Sequence, residues 1–348
     1  MSAAPVVDVH AHVLLPELQQ RAAALDPAGS TAAQELEVRR NGPESMAVSG
    51  PMIRERWPLL TDLDARLTAM DRAGVDVQLV SPSPSHYYPH LGAEHALDVA
   101  RRANEAVRDL VAQAPERLKG LGLAPLQHPA HMVEALEHAV TGCGLRGVEI
   151  GSYGAAPDGG QAGTVELSDP ALEPFWAAAE RLGALVFLHP FGCSLDERLD
   201  RFYLANTVSQ PAENAVALSH LVFSGVLDRH PDLVVLAAHG GGYLPTAIGR
   251  SDRAWRVRPD ARRCARPPSS YLRQIYFDSL THDPGQLAEL VRVAGAQRVL
   301  LGSDFPFDMG TDTPVEDLRA AGLDPEAERL ILTGNAAALG LHPTVLPA

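Results

Sequence analysis

The chain has little cysteine and no long apolar run. Its three cysteines, Cys143, Cys193 and Cys264, are odd in number and widely spaced along 348 residues. This pattern excludes a disulfide framework and a cysteine-rich zinc site, and it predicts a reducing, cytoplasmic environment. No apolar run approaches eighteen residues, and the N-terminus lacks the basic and apolar regions of a signal peptide. We therefore expect a soluble, unsecreted protein without a membrane partner.

Positive charge is also scarce. Lysine and arginine total 29 against 43 aspartates and glutamates, so the formal net charge is −14 at pH 7. This balance argues against a nucleic acid or an anionic membrane surface as partner, because both require concentrated basic residues. Lys119 is the only lysine. Hydrophobic residues make up 46% of the chain, which is enough to fill a large globular core.

Eight short aliphatic runs alternate with longer amphipathic segments, a pattern typical of strand and helix units with parallel strands. The runs are 6–12, 75–83, 118–126, 145–153, 184–191, 233–242, 274–282 and 298–307. Eight such units predict an α/β protein with a (β/α)₈ TIM barrel. A doubly wound open sheet is the alternative, but no Gly-x-Gly-x-x-Gly follows any strand. We expect one domain over residues 1–348, with an irregular insertion at 13–61, between strands one and two, over the barrel mouth.

Histidines and one aspartate occupy the ends of several predicted strands. Because strand side chains alternate in direction, His10 and His12 are expected to share one face. His189, His239 and Asp304 close strands five, six and eight before a Gly or Pro turn. Side chains at the C-terminal ends of barrel strands meet at the barrel mouth. Three imidazoles and one carboxylate suit Zn²⁺, Mn²⁺ or Fe²⁺, and a further histidine could move a proton.

The order of these motifs resembles a known family. His-x-His, His-Pro, His-Gly-Gly-Gly and Ser-Asp-Phe-Pro-Phe are similar to the amidohydrolase superfamily, in the branch typified by α-amino-β-carboxymuconate-ε-semialdehyde decarboxylase. The resemblance runs from about residue 6 to residue 341 and includes stretches such as LTAMDRAGVDVQLVSPSP. It implies a homodimeric, metal-dependent decarboxylase that acts on a small aromatic or muconate-type carboxylic acid. It also implies one divalent ion, with Zn²⁺ expected first and Mn²⁺ second.

The resemblance implies a role for each motif residue. His10, His12, His189 and Asp304 would hold the metal, and His239 would be the acid/base. In the aromatic case Asp304 would also protonate the substrate ring.

Substrate-binding residues follow from the same resemblance. Arg250 would reach the neighbouring subunit's site, and Arg54, with Arg56 as a rival, would bind a substrate carboxylate. Phe191 stands where the semialdehyde decarboxylase has tryptophan and would line the substrate pocket. Binuclear members bridge two metals with a lysine at the end of strand four. Here that strand reads GVEIGSY, which favours a single metal.

Other interpretations of the same residues remain open. The site could serve a hydrolase or hydratase, because fold and ligands do not determine the reaction. A metal-binding barrel without catalysis and a purely structural role for the histidines are further alternatives. Among other polar residues, Asp8 is expected on the His10 face with an arginine partner in the barrel floor. His86, His90 and His282 are expected to be solvated loop residues.

Overall fold

A computed structural model describes residues 4–156, 163–192 and 198–342; Cys193 lies outside this part of the chain. Within it, parallel strands follow one another around a ring. They are β1 (Val7–Val13), β2 (Val77–Pro82), β3 (Leu118–Gly120 and Gly122–Leu123), β4 (Gly147–Ile150), β5 (Leu185–Leu188), β6 (Val234–Ala237), β7 (Tyr276–Asp278) and β8 (Val299–Leu300). Seven of them lie within the predicted runs, and β1 extends one residue beyond its run, to Val13.

Hydrogen bonds join consecutive strands in chain order. β1, β2 and the first piece of β3 form one sheet, and the second piece of β3 continues through β8 as another. Only Leu121 separates the two pieces of β3, and its N–H donates to Val80 O at 2.9 Å. At the other junction, the N–H groups of Val9 and His12 donate to the carbonyls of Leu301 and Phe305 at 2.8 and 2.7 Å. The predicted (β/α)₈ barrel is therefore confirmed.

A bulge in β1 changes which residues face the barrel interior. Asp8 pairs with Gln78 whereas Ala11 pairs with Val80, so β1 carries one extra residue between these pairs. Such an extra residue reverses the side-chain alternation beyond it. Val9 accordingly packs with Leu79 in the hydrophobic cluster inside the ring, and the next residue, His10, points inward as well. The expectation that Asp8 shares the His10 face is wrong for this reason.

Asp8 instead joins a buried polar network on the outer side of the strands. It accepts hydrogen bonds from Gln78 Nε2 at 2.9 Å and Ser303 Oγ at 2.6 Å. The Arg66 guanidinium donates to Gln78 Oε1 at 2.6 Å and to the carbonyl of His12. The expected arginine partner therefore acts through Gln78 rather than by a direct ion pair. The network fixes the backbone of β1 on both sides of the bulge.

Helices surround the ring and cover its mouth. They are α1 (Pro16–Leu25), α2 (Pro27–Thr61), α3 (Leu63–Ala73), α4 (Ala93–Gln113), α5 (Pro129–Glu137), α6 (Glu173–Leu182), α7 (Leu204–Thr207), α8 (Ser209–Phe223), α9 (Val226–Arg229), α10 (Leu244–Val257), α11 (Pro284–Ala294), α12 (Pro314–Ala320), α13 (Pro325–Arg329) and α14 (Asn335–Ala338). Across the described ranges, no helix is both long and apolar enough to cross a membrane.

The insertion between the first two strands is helical rather than irregular. Almost all of it belongs to α1 and α2, and α2 is broken at Gly42, whose φ is 76°. Asp26 begins α2 by accepting a hydrogen bond from the Gly29 N–H. The sequence pattern does not indicate this helix because α2 contains Pro43, Pro51 and Pro58. A proline inside a helix removes a backbone hydrogen bond.

His86 is a buried structural residue, not a solvated one. Its side chain lies next to the start of α1. Nε2 accepts a hydrogen bond from the Leu15 N–H at 3.0 Å, and Nδ1 lies 2.7 Å from Tyr88 Oη. Burial lowers the pKa of His86 to about 4. The neutral imidazole is therefore part of the folded state at pH 7.

This buried imidazole predicts a loss of stability in acid. The unfolded chain takes up a proton at His86 near pH 6.5 and the folded chain only near pH 4, so its contribution is complete above pH 6.5 and falls between these values. The loss from this one group is of the order of 3 kcal/mol. Urea denaturation at pH 7 and pH 4.5 should show a smaller pH effect in His86→Gln than in the wild type. Equal effects in both proteins would contradict this assignment.

Candidate metal and active site

Four side chains at the ends of three strands converge at the barrel mouth. His10 and His12 lie on β1, His189 directly follows β5, and Asp304 follows β8. One ligand atom from each of these residues lies within 4.8 Å of the others, and all four residues are buried. They form a cluster that fits a single divalent metal ion, as the spacing of the motifs predicted.

Unsatisfied atoms within the cluster support this fit. His189 Nε2 and Asp304 Oδ1 are buried without a hydrogen-bond partner in the described part of the chain. His12 Nε2 lies 3.1 Å from His10 Nε2 and 3.2 Å from Asp304 Oδ1. Buried polar atoms rarely remain unpaired. A cation at the centre would satisfy all of these lone pairs together.

Neighbouring acceptors orient the imidazoles. His10 Nδ1 lies 2.6 Å from Asp278 Oδ2, and His189 Nδ1 donates to the carbonyl of Pro190 at 2.9 Å. Each contact places a proton on Nδ1, so Nε2 is the nitrogen that faces the cluster and would bind a metal ion. On the third imidazole, Nδ1 of His12 lies 3.3 Å from Ser81 Oγ.

The charge balance of the cluster also suits a cation. Burial holds the pKa of His12 at about 4 and that of His189 well below its ordinary value, so both imidazoles are neutral ligands at pH 7. Burial opposes a charge on His10, but the carboxylates of Asp304 and Asp278 outweigh it and raise its pKa to about 10. The proton on His10 thus supplies the positive charge that a metal ion would bring, and metal binding would release it.

His239 stands next to the cluster on a strained turn. Its φ is 53°, and that of Asp304 is 55°, which are unusual values for residues with side chains. Asp278 accepts the N–H groups of His239 and Gly240 at 2.9 and 2.7 Å and holds this turn in place. His239 Nε2 lies 3.5 Å from Asp304 Oδ2, and its side chain is 17% exposed. It can therefore exchange a proton with a molecule bound at the mouth.

A cavity of about 520 Å³ opens over the cluster. His189, His239 and Asp304 line its floor, while Arg40, Ile53 and Trp57 of the insertion lie among its other walls. Phe191 lies at its edge, with its ring 6.2 Å from that of Tyr87. We call this space the metal cavity. Its volume is within the range of small-molecule sites.

The arginines of the insertion are not placed as the sequence resemblance implied. Arg54 is exposed and does not line the metal cavity. Its rival Arg56 lies 3.3 Å from Asp312, away from the cavity. Arg40 lies on the other side of the break in α2; it is buried and lines the metal cavity. Arg250 is exposed on α10 and does not line its own chain's cavity, so its action on a neighbouring subunit stays a prediction.

Sequence reasoning missed two buried carboxylates and a tyrosine. Asp278 ends β7, and Glu149 lies in β4, where Tyr87 Oη donates to its Oε1 at 2.6 Å. Burial raises the pKa of Glu149 to about 8. Asp278 follows Phe277 and Glu149 follows Val148, so each carboxylate comes after an apolar residue near the C-terminal end of a strand, as the histidines do. A search for polar side chains at strand ends that included glutamate and strand seven would have found Glu149 and Asp278.

Comparisons with known proteins identify the family of the chain. The amidohydrolase family model matches residues 7–339, and the chain belongs to this family. It is 33% identical over 304 residues to 2-amino-3-carboxymuconate-6-semialdehyde decarboxylase of Dictyostelium discoideum, covering 86% of this chain and 82% of that protein. It is 31% identical over 292 residues to gamma-resorcylate decarboxylase of Rhodococcus jostii, covering 81% and 88%. These relatives are named as decarboxylases, as the resemblance predicted.

Solved structures give the same fold. The crystal structure of 2,6-dihydroxybenzoate decarboxylase from Rhizobium superposes with a TM-score of 0.77 at 25% identity, covering 97% of this chain and 98% of that one. For 5-carboxyvanillate decarboxylase from Sphingomonas paucimobilis the TM-score is 0.80 at 23% identity, with 97% and 99% covered. A dihydroxybenzoic acid decarboxylase from Polaromonas, 23% identical with a TM-score of 0.77 over 97% and 96%, holds bound manganese.

Asp278 provides a test of how the cluster is oriented. Asp278→Asn keeps the shape of the side chain but removes the charged acceptor for His10 Nδ1, so we expect the affinity for Zn²⁺ or Mn²⁺ to fall about 10- to 100-fold. Competition titration with a chelator measures this change. Asp312→Asn, at an exposed position near Arg56, is the control and should bind metal like the wild type. Unchanged affinity in Asp278→Asn would show that this contact does not orient the ligand.

Proposed function

We propose that the protein is a metal-dependent, non-oxidative decarboxylase of a small aromatic or muconate-type carboxylic acid. The observation that carries this proposal is the set of four converging ligand groups beside His239 at the floor of one cavity. Family membership and decarboxylase relatives support the reaction class. The cavity and its single-metal cluster also distinguish this proposal from a purely structural role for the histidines.

We propose Zn²⁺ as the native ion and Mn²⁺ as the alternative, held by His10, His12, His189 and Asp304. Three imidazoles and one carboxylate form a donor set that accepts either ion. When bound, such an ion polarises a substrate oxygen or lowers the pKa of water. The chain offers no lysine at the end of β4 for a bridged second ion.

His239 and Asp304 are the proposed catalytic groups. In the net reaction the bond between the carboxyl carbon and its neighbour breaks, CO₂ leaves, and the remaining carbon keeps the electron pair and takes up a proton. His239 Nε2 is accessible from the cavity and lies 3.5 Å from Asp304 Oδ2, so a proton can pass between the two groups. His239 is the proposed acid/base, and Asp304 is the second candidate proton donor for an aromatic ring.

We assign substrate binding to residues of the cavity wall and of a second subunit. Arg40 replaces Arg54 as the proposed arginine of the insertion, because it is buried and lines the cavity. Phe191 would contact the substrate ring. Arg250 is exposed, as a residue that serves the partner's site would be in an isolated chain. A cytoplasmic homodimer remains part of this proposal.

Release of CO₂ tests the proposal directly. The purified protein, loaded with Zn²⁺ or Mn²⁺, should release CO₂ from at least one acid in a panel of hydroxybenzoates and muconate-type acids. His239→Ala should lower kcat by about 100-fold or more, since it removes the proton carrier. Consumption of an acid without CO₂ would instead establish a hydratase or hydrolase on this site.

Arg40 and Arg54 form a matched pair for substrate binding. A charged contact to a carboxylate contributes a free energy that corresponds to about a 10-fold or larger rise in KM when it is removed. Arg40→Gln should show this rise on the active acid, while Arg54→Gln should leave KM near the wild-type value. A rise in KM for Arg54→Gln alone would restore the assignment made from the sequence. Thermal unfolding of both variants provides a control for folding.

A further inference from the structure

A second cavity of about 510 Å³ lies beside the metal cavity and has no part in the reaction proposed above. It lies between the insertion and the segments that follow β2, β3 and β4. Its lining includes Ala33 from α2, Tyr88 after β2, Leu126 after β3 and Tyr153 after β4. We call this space the side cavity.

The two cavities share a wall. Six residues line both of them: Gln19, Glu37, Arg40, Ser85, Phe191 and Gly192. At Gly192, with φ of 80°, a Cβ would lie 3.0 Å from Arg40 Nη1 and 3.2 Å from Tyr153 Oη. The side chains of Arg40 and Tyr153 therefore pack closely against Gly192, and they would have to move for a bound molecule to cross the wall at this point.

Away from this wall the side cavity is lined by aliphatic and aromatic residues together with the uncharged polar side chains of Ser30, Gln34, His90 and Gln127. Among the described residues that line it, only Glu37 and Arg40 are aspartate, glutamate, lysine or arginine, and both belong to the shared wall. Tyr87 is held in place because its phenol donates to Glu149 Oε1 and to the His189 carbonyl, at 2.6 and 3.1 Å. Fixed aromatic and aliphatic surfaces of this kind suit a flat apolar group.

We infer that the substrate is a two-part aromatic acid. Its carboxylate-bearing ring occupies the metal cavity, and an apolar group about the size of a second ring crosses the shared wall into the side cavity. This inference rests on the proposed function. The metal cavity alone is large enough for a whole one-ring acid, so a second preformed cavity of equal volume on the other side of the wall matches a longer substrate.

Binding of matched acids tests this inference. The probes are 2-hydroxybenzoate and three isomeric derivatives of it that carry a phenyl group at ring position three, four or five, titrated calorimetrically into the Mn²⁺-loaded protein. Burial of the added ring should make at least one isomer bind on the order of 30-fold more tightly than 2-hydroxybenzoate.

Two variants on α2 locate the added ring. Ala33→Trp puts an indole into the side cavity and should reduce the gain in affinity from the added ring to less than about threefold. Ala32→Trp places the same residue at the adjacent exposed position and should keep the full gain. The readout is the ratio of the affinities of one variant for two acids. A loss of affinity that is the same for both acids therefore does not affect it.

The remaining outcomes separate this inference from the proposed function. No gain for any isomer, or a gain that Ala33→Trp retains, overturns the two-part substrate while CO₂ release from a one-ring acid still supports a decarboxylase. Absence of metal-dependent CO₂ release from the wider acid panel overturns the proposed function, and the inference with it. A crystal structure of the tightest complex should place the added ring between Tyr88 and Leu126.

Discussion

The arrangement of the site depends on one buried carboxylate. Asp278, at the end of β7, lies within hydrogen-bonding distance of the His10 ring, the backbone N–H groups of His239 and Gly240, and the Leu280 N–H. These contacts tie three strands of the barrel together. They also aim one metal-ligand candidate and one proton carrier at the same point. No single strand could provide this geometry, because each contributes only one or two of the groups.

The cluster that Asp278 supports has a deficit of positive charge. Three imidazole nitrogens and a carboxylate oxygen converge without enough protons to pair them all, and in the metal-free chain the His10 proton meets part of this need. Strained backbone at His239 and Asp304 keeps both side chains pointing inward. Such strain persists only where surrounding contacts compensate for it. The barrel therefore provides a rigid site for a cation before any substrate arrives.

What the sequence predicts well is local. Strand-end histidines could be recognised because a strand and its terminal residue are adjacent in the chain, and the barrel then determines where they meet. The β-bulge that turns Asp8 away from His10 could not be predicted from the alternation of residues in the sequence. Prolines hide the helix of the insertion. Arg40 lines the metal cavity and Arg54 does not, and this difference depends on tertiary position, which residue spacing does not encode.

The central claim is that these four side chains form one metal site per chain. Elemental analysis of the purified, metal-reconstituted protein, beside His189→Ala, tests this most directly. We expect close to one equivalent of Zn²⁺ or Mn²⁺ per chain in the wild type and a loss of nearly all of it in the variant, with the circular dichroism spectrum unchanged. Two equivalents per chain, or one equivalent retained in a folded His189→Ala protein, would contradict it.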